Sequence, residues 1–145
     1  FLISLMIIDE TDNSEYFLYK FNISNEDKKR IRFLQNVFSK PLDRKTFSEK
    51  NLWKMLYYNN KNYLNDLINF QIYRSKKIDK KLIKLKEFFS HQLPPKFNVK
   101  AKFLMEKFNL KEGKELGQKI KEIEIAWINN SFKITDKQIE KIING

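Results

Sequence analysis

The sequence predicts an all-α fold, an irregular bundle of about eight short-to-medium helices, on three observations. Its 145 residues contain three Gly and three Pro, too few for the tight turns of a sandwich, a barrel or a Gly-rich phosphate loop. Apolar residues make up 41% and include thirteen Phe, more core-forming side chains than a disordered chain of similar charge carries. Those residues recur at three- and four-residue spacing, and no alternating run is long enough to claim a sheet.

The chain opens on Phe1 with an apolar run, FLISLMII. It is too short to span a bilayer and lacks signal-peptide flanks, so it reads as a buried helix end or strand of a longer, truncated segment. Residues 14 to 21 make a short helix. Ser24 then offers an N-cap for a helix reaching about Lys40, with Ile31, Leu34, Val37 and Phe38 on one face, until Pro41 ends it. Thr46 or Ser48 opens the next helix, with Leu52, Trp53, Leu56 and Tyr57 at helical spacing. An Asn-rich turn at 59 to 62 leads to another helix through about Ser75, whose inner face is marked by Tyr63, Leu64, Leu67, Ile68, Gln71 and Ile72.

From Asp79 to Gln92, Leu82, Leu85 and Phe89 recur at i, i+3 and i+7 and predict a helix that Pro94 and Pro95 break, with Ile78 just before it continuing the apolar stripe. Val99 to Phe108 follows, with Ala101, Leu104, Met105 and Phe108 inward. After a turn over 109 to 113, the last long helix places Leu116, Ile120, Ile123 and Trp127 on one stripe. Thr135 with Gln138 is a capping-box signal for a final helix to Ile143. Residues 1–95 and 96–145 form two helical regions, expected to pack as one compact unit.

Charge narrows the function. Twenty-nine Lys and Arg against eighteen Asp and Glu give +11, which points to a polyanionic partner such as nucleic acid. Residues 1 to 27 hold one Lys against six acids, so the basic charge lies in the remainder. Part of it reflects A- and T-rich codon usage, since 25 Lys stand against 4 Arg beside 15 Asn and 17 Ile. The absence of Cys excludes a disulfide framework, a thiol nucleophile and a Cys zinc site. A cytoplasmic, membrane-free setting is the expectation.

Candidate chemistry is sparse. Asp9, Glu10 and Asp12 form an acidic cluster, but a two-metal site needs carboxylates converging from separate elements, and these three share one loop. His91 is placed to cap a helix C-terminus, and no nucleophile accompanies it. Neither a catalytic nor a metal-binding residue is assigned.

Three basic constellations carry the candidate site. Lys76, Lys80 and Lys84 recur at i, i+4, i+8, opposite the apolar stripe. Lys28, Lys29, Arg30 and Arg32 cluster early in their helix, where positive charge opposes the macrodipole, and Arg44 follows nearby; in so Lys-rich a chain each Arg suggests a planar fork for phosphate. Lys96, Lys100, Lys102, Lys107, Lys111 and Lys114 surround a helix pair with Gly113 and Gly117 at the start of its second helix, where free N–H groups favour an anion.

The stretch LPPKFNVKAKFLMEKFNLKEGKELGQKIKEIEIAWINNSF resembles the C-terminal region of bacterial class II tRNA nucleotidyltransferases, the CCA-adding enzyme and poly(A) polymerase family. Phe97, Val99, Lys102, Leu104, Gly113, Leu116, Gly117, Ile120, Ile123 and Trp127 match that pattern. Asn98, Ala101, Phe103, Glu112 and Lys114 depart from it. More weakly, FNISNEDKKRI is similar to a helix entry in the family's neck and body. The resemblance implies a tRNA-binding helical body and tail that holds the acceptor and T arms for a catalytic head in cis or trans. It also implies that Mg2+ and CTP or ATP belong to that head, whose Gly-Ser loop and paired Asp residues have no counterpart in this sequence. The alternative is a helical protein-interaction module, with Trp53, Tyr57, Tyr58 and Phe103 offering a partner surface.

Overall fold

A computed structural model describes residues 14–39, 41–43 and 45–145. The FLISLMII run, the cluster of Asp9, Glu10 and Asp12, and Arg44 lie outside the described residues. Among those described, the fold is all-α: eight helices and no strand. They are α1 (Ser14–Lys20), α2 (Asn25–Phe38), α3 (Glu49–Asn59), α4 (Lys61–Arg74), α5 (Lys80–Ser90), α6 (Ala101–Phe108), α7 (Lys114–Asn129) and α8 (Asp136–Asn144). The chain divides into two compact units, the first ending at Pro94 and the second running Pro95–Gly145.

In the first unit α4 is the hub, packing against α2, α3 and α5. Its sequence explains that position: it buries Leu64, Leu67, Ile68 and Phe70, and Asp66 with them, so it is apolar over more than one face. Leu34 from α2, Leu52 and Leu56 from α3 and Phe89 from α5 complete the core. Asn60 separates α3 from α4 at a φ of 100°, and its side chain accepts hydrogen bonds from the N–H groups of Asn62 and Tyr63 at 2.9 and 3.4 Å. A smaller cluster of Leu18, Ile23 and Ile31 seats α1 on α2.

In the second unit Leu104, Leu116, Ile123 and Ile139 interlock α6, α7 and α8. The stripe on α7 holds, with Leu116, Ile123 and Trp127 buried and Ile120 half-buried. Asn109 closes α6 in the left-handed conformation, φ 54°, a position its short polar side chain tolerates. The capping box forms as expected: the Thr135 Oγ1 accepts from the Gln138 N–H, and the Gln138 side chain accepts from the Thr135 N–H at 2.9 Å.

Three expectations are corrected. Ile78 is 83% exposed, because α5 begins only at Lys80 and Ile78 sits in the preceding loop. For the same reason Lys76 is not on the helix with Lys80 and Lys84. Ala101, expected inward, is exposed at the first position of α6. At the start of α3, Ser48 holds the cap position, but its hydroxyl donates to the Lys45 carbonyl at 2.7 Å instead of capping the helix.

Candidate nucleic-acid interface

The segment from Lys76 to Lys86 is the densest basic surface. Ser75 ends α4, a short bend carries Lys76 and Lys77, and Asp79 caps α5 by accepting from the N–H groups of Lys81 and Leu82 at 2.9 and 3.2 Å. Leu82 and Phe89 are buried and Leu85 half-buried, which fixes the rotation of α5 and turns Lys80 and Lys84 away from the core. Lys76, Lys77, Lys80, Lys81, Lys84 and Lys86 are all exposed. No described carboxylate lies within ion-pair distance of any of the six.

The one acid within this surface, Asp79, caps α5 and sets its carboxylate against the positive end of the helix dipole. The first turn of α5 holds no acidic residue, so Lys80 and Lys81 stand there without one. Charges placed against the dipole are most readily accommodated when an anion lies among them. Lys77, Lys81 and Lys86 are not among the sequence-derived candidates; the paired lysines at 76–77 and 80–81 are the signal that marks the first two.

The second constellation is differently employed. Arg30 donates from Nε to Asp66 Oδ2 at 2.7 Å and from NH2 to Asp66 Oδ1 at 2.9 Å, and reaches Asp27 at 3.2 Å. The hydrogen bonds it donates to Asp66 hold the Arg30 guanidinium above its ordinary pKa. Arg32 makes a two-bond fork on Glu15 at 2.9 and 2.7 Å, which lowers the Glu15 carboxyl below its usual range. Arg74 lies over the rings of Phe38 and Phe70 at 5.5 and 5.9 Å. The forks read from the sequence as phosphate ligands are thus turned on carboxylates, and the first-turn acids Glu26 and Asp27 answer the dipole of α2. Of this cluster Lys29 is exposed and Lys28 half-buried.

The third constellation lies in the second unit. Lys96, Lys100, Lys102, Lys111 and Lys114 are exposed, with Lys102 weakly paired to Glu106 at 3.7 Å. Lys107 is engaged, in an ion pair with Asp136 at the start of α8 and over the rings of Phe103 and Phe108. Gly113 caps α7 at φ 153° and ψ −167°, a conformation open essentially to Gly alone. Gly117 is exposed, and a Cβ there would meet nothing within 4 Å, so its place is not explained by helix packing. The α7 N-terminus has no side-chain cap, and its N–H groups are available to an anion.

His91 is the exposed C-cap of α5, its N–H donating to the Phe88 carbonyl at 3.4 Å. Among the described residues no group of three or more His, Asp or Glu side chains could hold a metal ion, so no metal-dependent step is derived from them. No described helix is long and apolar enough to cross a membrane. Compared with models of known families, with curated proteins and with solved structures, the chain shows no significant match.

Proposed function

We propose that this chain binds structured RNA through its lysine surfaces, as the helical body of a tRNA nucleotidyltransferase-type assembly. It would grip the acceptor and T arms of tRNA while a head in cis or trans, with its own Mg2+ and CTP or ATP, performs the transfer. The observation that carries the reading is the unanswered cluster of six exposed lysines between Lys76 and Lys86. Lysine point charges suit the phosphate backbone of a duplex arm, which supplies affinity without sequence information. The shallow groove of A-form RNA is likewise read by shape.

The resemblance over Phe97 to Trp127 supports the helical framework more than the ligand. Leu104, Leu116, Ile123 and Trp127 are buried, and Gly113 answers a backbone demand. The protein-interaction alternative is weaker on its own residues. Trp53 packs its ring on Phe89 at 5.2 Å and Phe88 at 6.2 Å.

The test is binding of the full chain to tRNA by wild type, by a Lys76→Gln, Lys80→Gln, Lys84→Gln variant, and by a Lys137→Gln, Lys141→Gln control in α8. A loss confined to the first variant supports the surface. Losses in both in proportion to the charges removed, three against two, would reduce the attraction to diffuse net charge and overturn it. Hydroxyl-radical protection confined to the acceptor and T arms is the expected footprint; protection spread over the whole tRNA overturns the tRNA-arm assignment.

A further inference from the structure

The second unit carries a cavity of about 630 Å3, within the roughly 300–1,000 Å3 of small-ligand sites. Its wall is aromatic: Phe97 and Phe132 pack on either contact of the buried Trp127, with ring centroids 5.3 and 5.0 Å away, and Phe103 adds an edge that is 37% exposed. Phe97 and Phe132 are half-buried. Its rim is cationic. Lys96 and Lys133 line it and are exposed, with no described carboxylate at ion-pair distance. The acid that also lines it, Asp136, is held by Lys107.

The backbone at Phe132 is unusual. α7 ends in a Schellman-type closure in which the Phe132 N–H donates to the Trp127 carbonyl at 2.8 Å. That motif needs one left-handed residue, ordinarily Gly. Here Ser131 and Phe132 are both left-handed, at φ 56° and 62°, and for a bulky side chain this is a strained conformation. The Phe132 ring that follows this turn lines the cavity and meets the Trp127 ring edge-on at 5.0 Å.

We propose that this cavity receives an unpaired nucleotide of RNA, its base stacked on the Phe97 and Phe132 rings and its phosphate on Lys96 and Lys133. A planar ring with a charged tail matches an aromatic wall beneath a cationic rim. Base-on-aromatic stacking is sequence-tolerant, because every base has a π-face, and single-stranded ends are where side chains reach splayed bases. This inference rests on the RNA-binding reading above and adds a single-strand site to its duplex-binding surface.

The test compares two RNAs on the full chain, a blunt hairpin and the same hairpin with a three-nucleotide 3′ overhang. Wild type is expected to bind the overhang form about tenfold more tightly, the scale of one stacked base. Phe132→Leu keeps apolar volume but removes the flat face, and should abolish that advantage while leaving blunt-hairpin affinity unchanged. Lys96→Gln with Lys133→Gln, which leaves the aromatic wall intact, should reduce it. Equal wild-type affinity for the two RNAs, or an advantage that survives in both variants, overturns the nucleotide site and leaves the duplex surface standing. Absence of binding to either RNA overturns the RNA-binding reading itself.

Discussion

Arg30 and Asp66, 36 residues apart, form a two-bond pair that joins α2 to α4. The Asp66 side chain is 8% exposed and that of Arg30 25%, so the carboxylate is taken out of water and satisfied by one guanidinium. Removing Arg30 would leave a buried anion without its partner. Arg30→Ala should therefore destabilise by about 2 to 3 kcal/mol, less than a fully buried pair costs because Arg30 keeps some water. Chemical denaturation measures it. A variant of full stability that binds RNA less tightly would return Arg30 to the phosphate-binding set.

Trp127 is the largest side chain on the α7 stripe and is flanked by Phe97 and Phe132. Trp127→Ala should cost about 3 to 5 kcal/mol, the range for a large-to-small change that leaves a cavity. An unchanged melting temperature would show that the ring contributes no packing.

Ser131→Gly should stabilise the protein. Relief of a left-handed residue is worth about 1 to 2 kcal/mol, and the added freedom of Gly in the unfolded chain takes back about 0.4 to 1 kcal/mol. The net gain, about 0.5 to 1 kcal/mol, is measurable by thermal unfolding. A loss of stability would mean that the Ser131 side chain makes a contact worth more than the strain.

Glu15 provides a pH test. Its hydrogen bonds from Arg32 lower its pKa in the folded state, so the stabilisation it gives is present above the ordinary glutamate value and is lost as pH falls through the folded one. In an NMR titration the Glu15 midpoint should lie below that of a peptide glutamate and rise toward it in Arg32→Gln. A midpoint unaffected by that substitution would dissolve the pairing.

Salt supplies the last test. The logarithm of RNA affinity should fall linearly with the logarithm of salt concentration, by about 0.9 per neutralised phosphate on a duplex arm. Each lysine lost between Lys76 and Lys86 that touches a phosphate should flatten the slope by about that amount. A slope equal in wild type and variant would exclude those lysines from the contact.

What was legible in the sequence was local. The caps at Ser24 and Thr135, the break at Pro94 and Pro95, and the stripe from Leu116 to Trp127 depend on residues within a few positions of one another. The partners of Arg30 and Arg32 were not legible, because nothing near them in sequence specifies Asp66 or Glu15. The planarity that suggests phosphate suits a carboxylate equally well. The stripe beginning at Ile78 failed because periodicity ran past a cap, and Asp79, not the apolar spacing, fixes where α5 starts. The cavity beneath Phe97 and Phe132 needed the turn at Ser131, whose left-handed backbone no Gly announces.

The three described arginines and the lysines from Lys76 to Lys86 are two different kinds of cationic handle. Arg30, Arg32 and Arg74 act through flat geometry, on carboxylates or on rings, and exchanging any of them for Lys would preserve the charge while undoing the contact. The lysines from Lys76 to Lys86 act through charge alone, and exchanging them for Gln would change the electrostatic field while leaving every described framework bond in place. Fold and field are therefore separately adjustable in this molecule: one set of substitutions alters what holds it together at constant potential, and the other alters the potential at constant architecture.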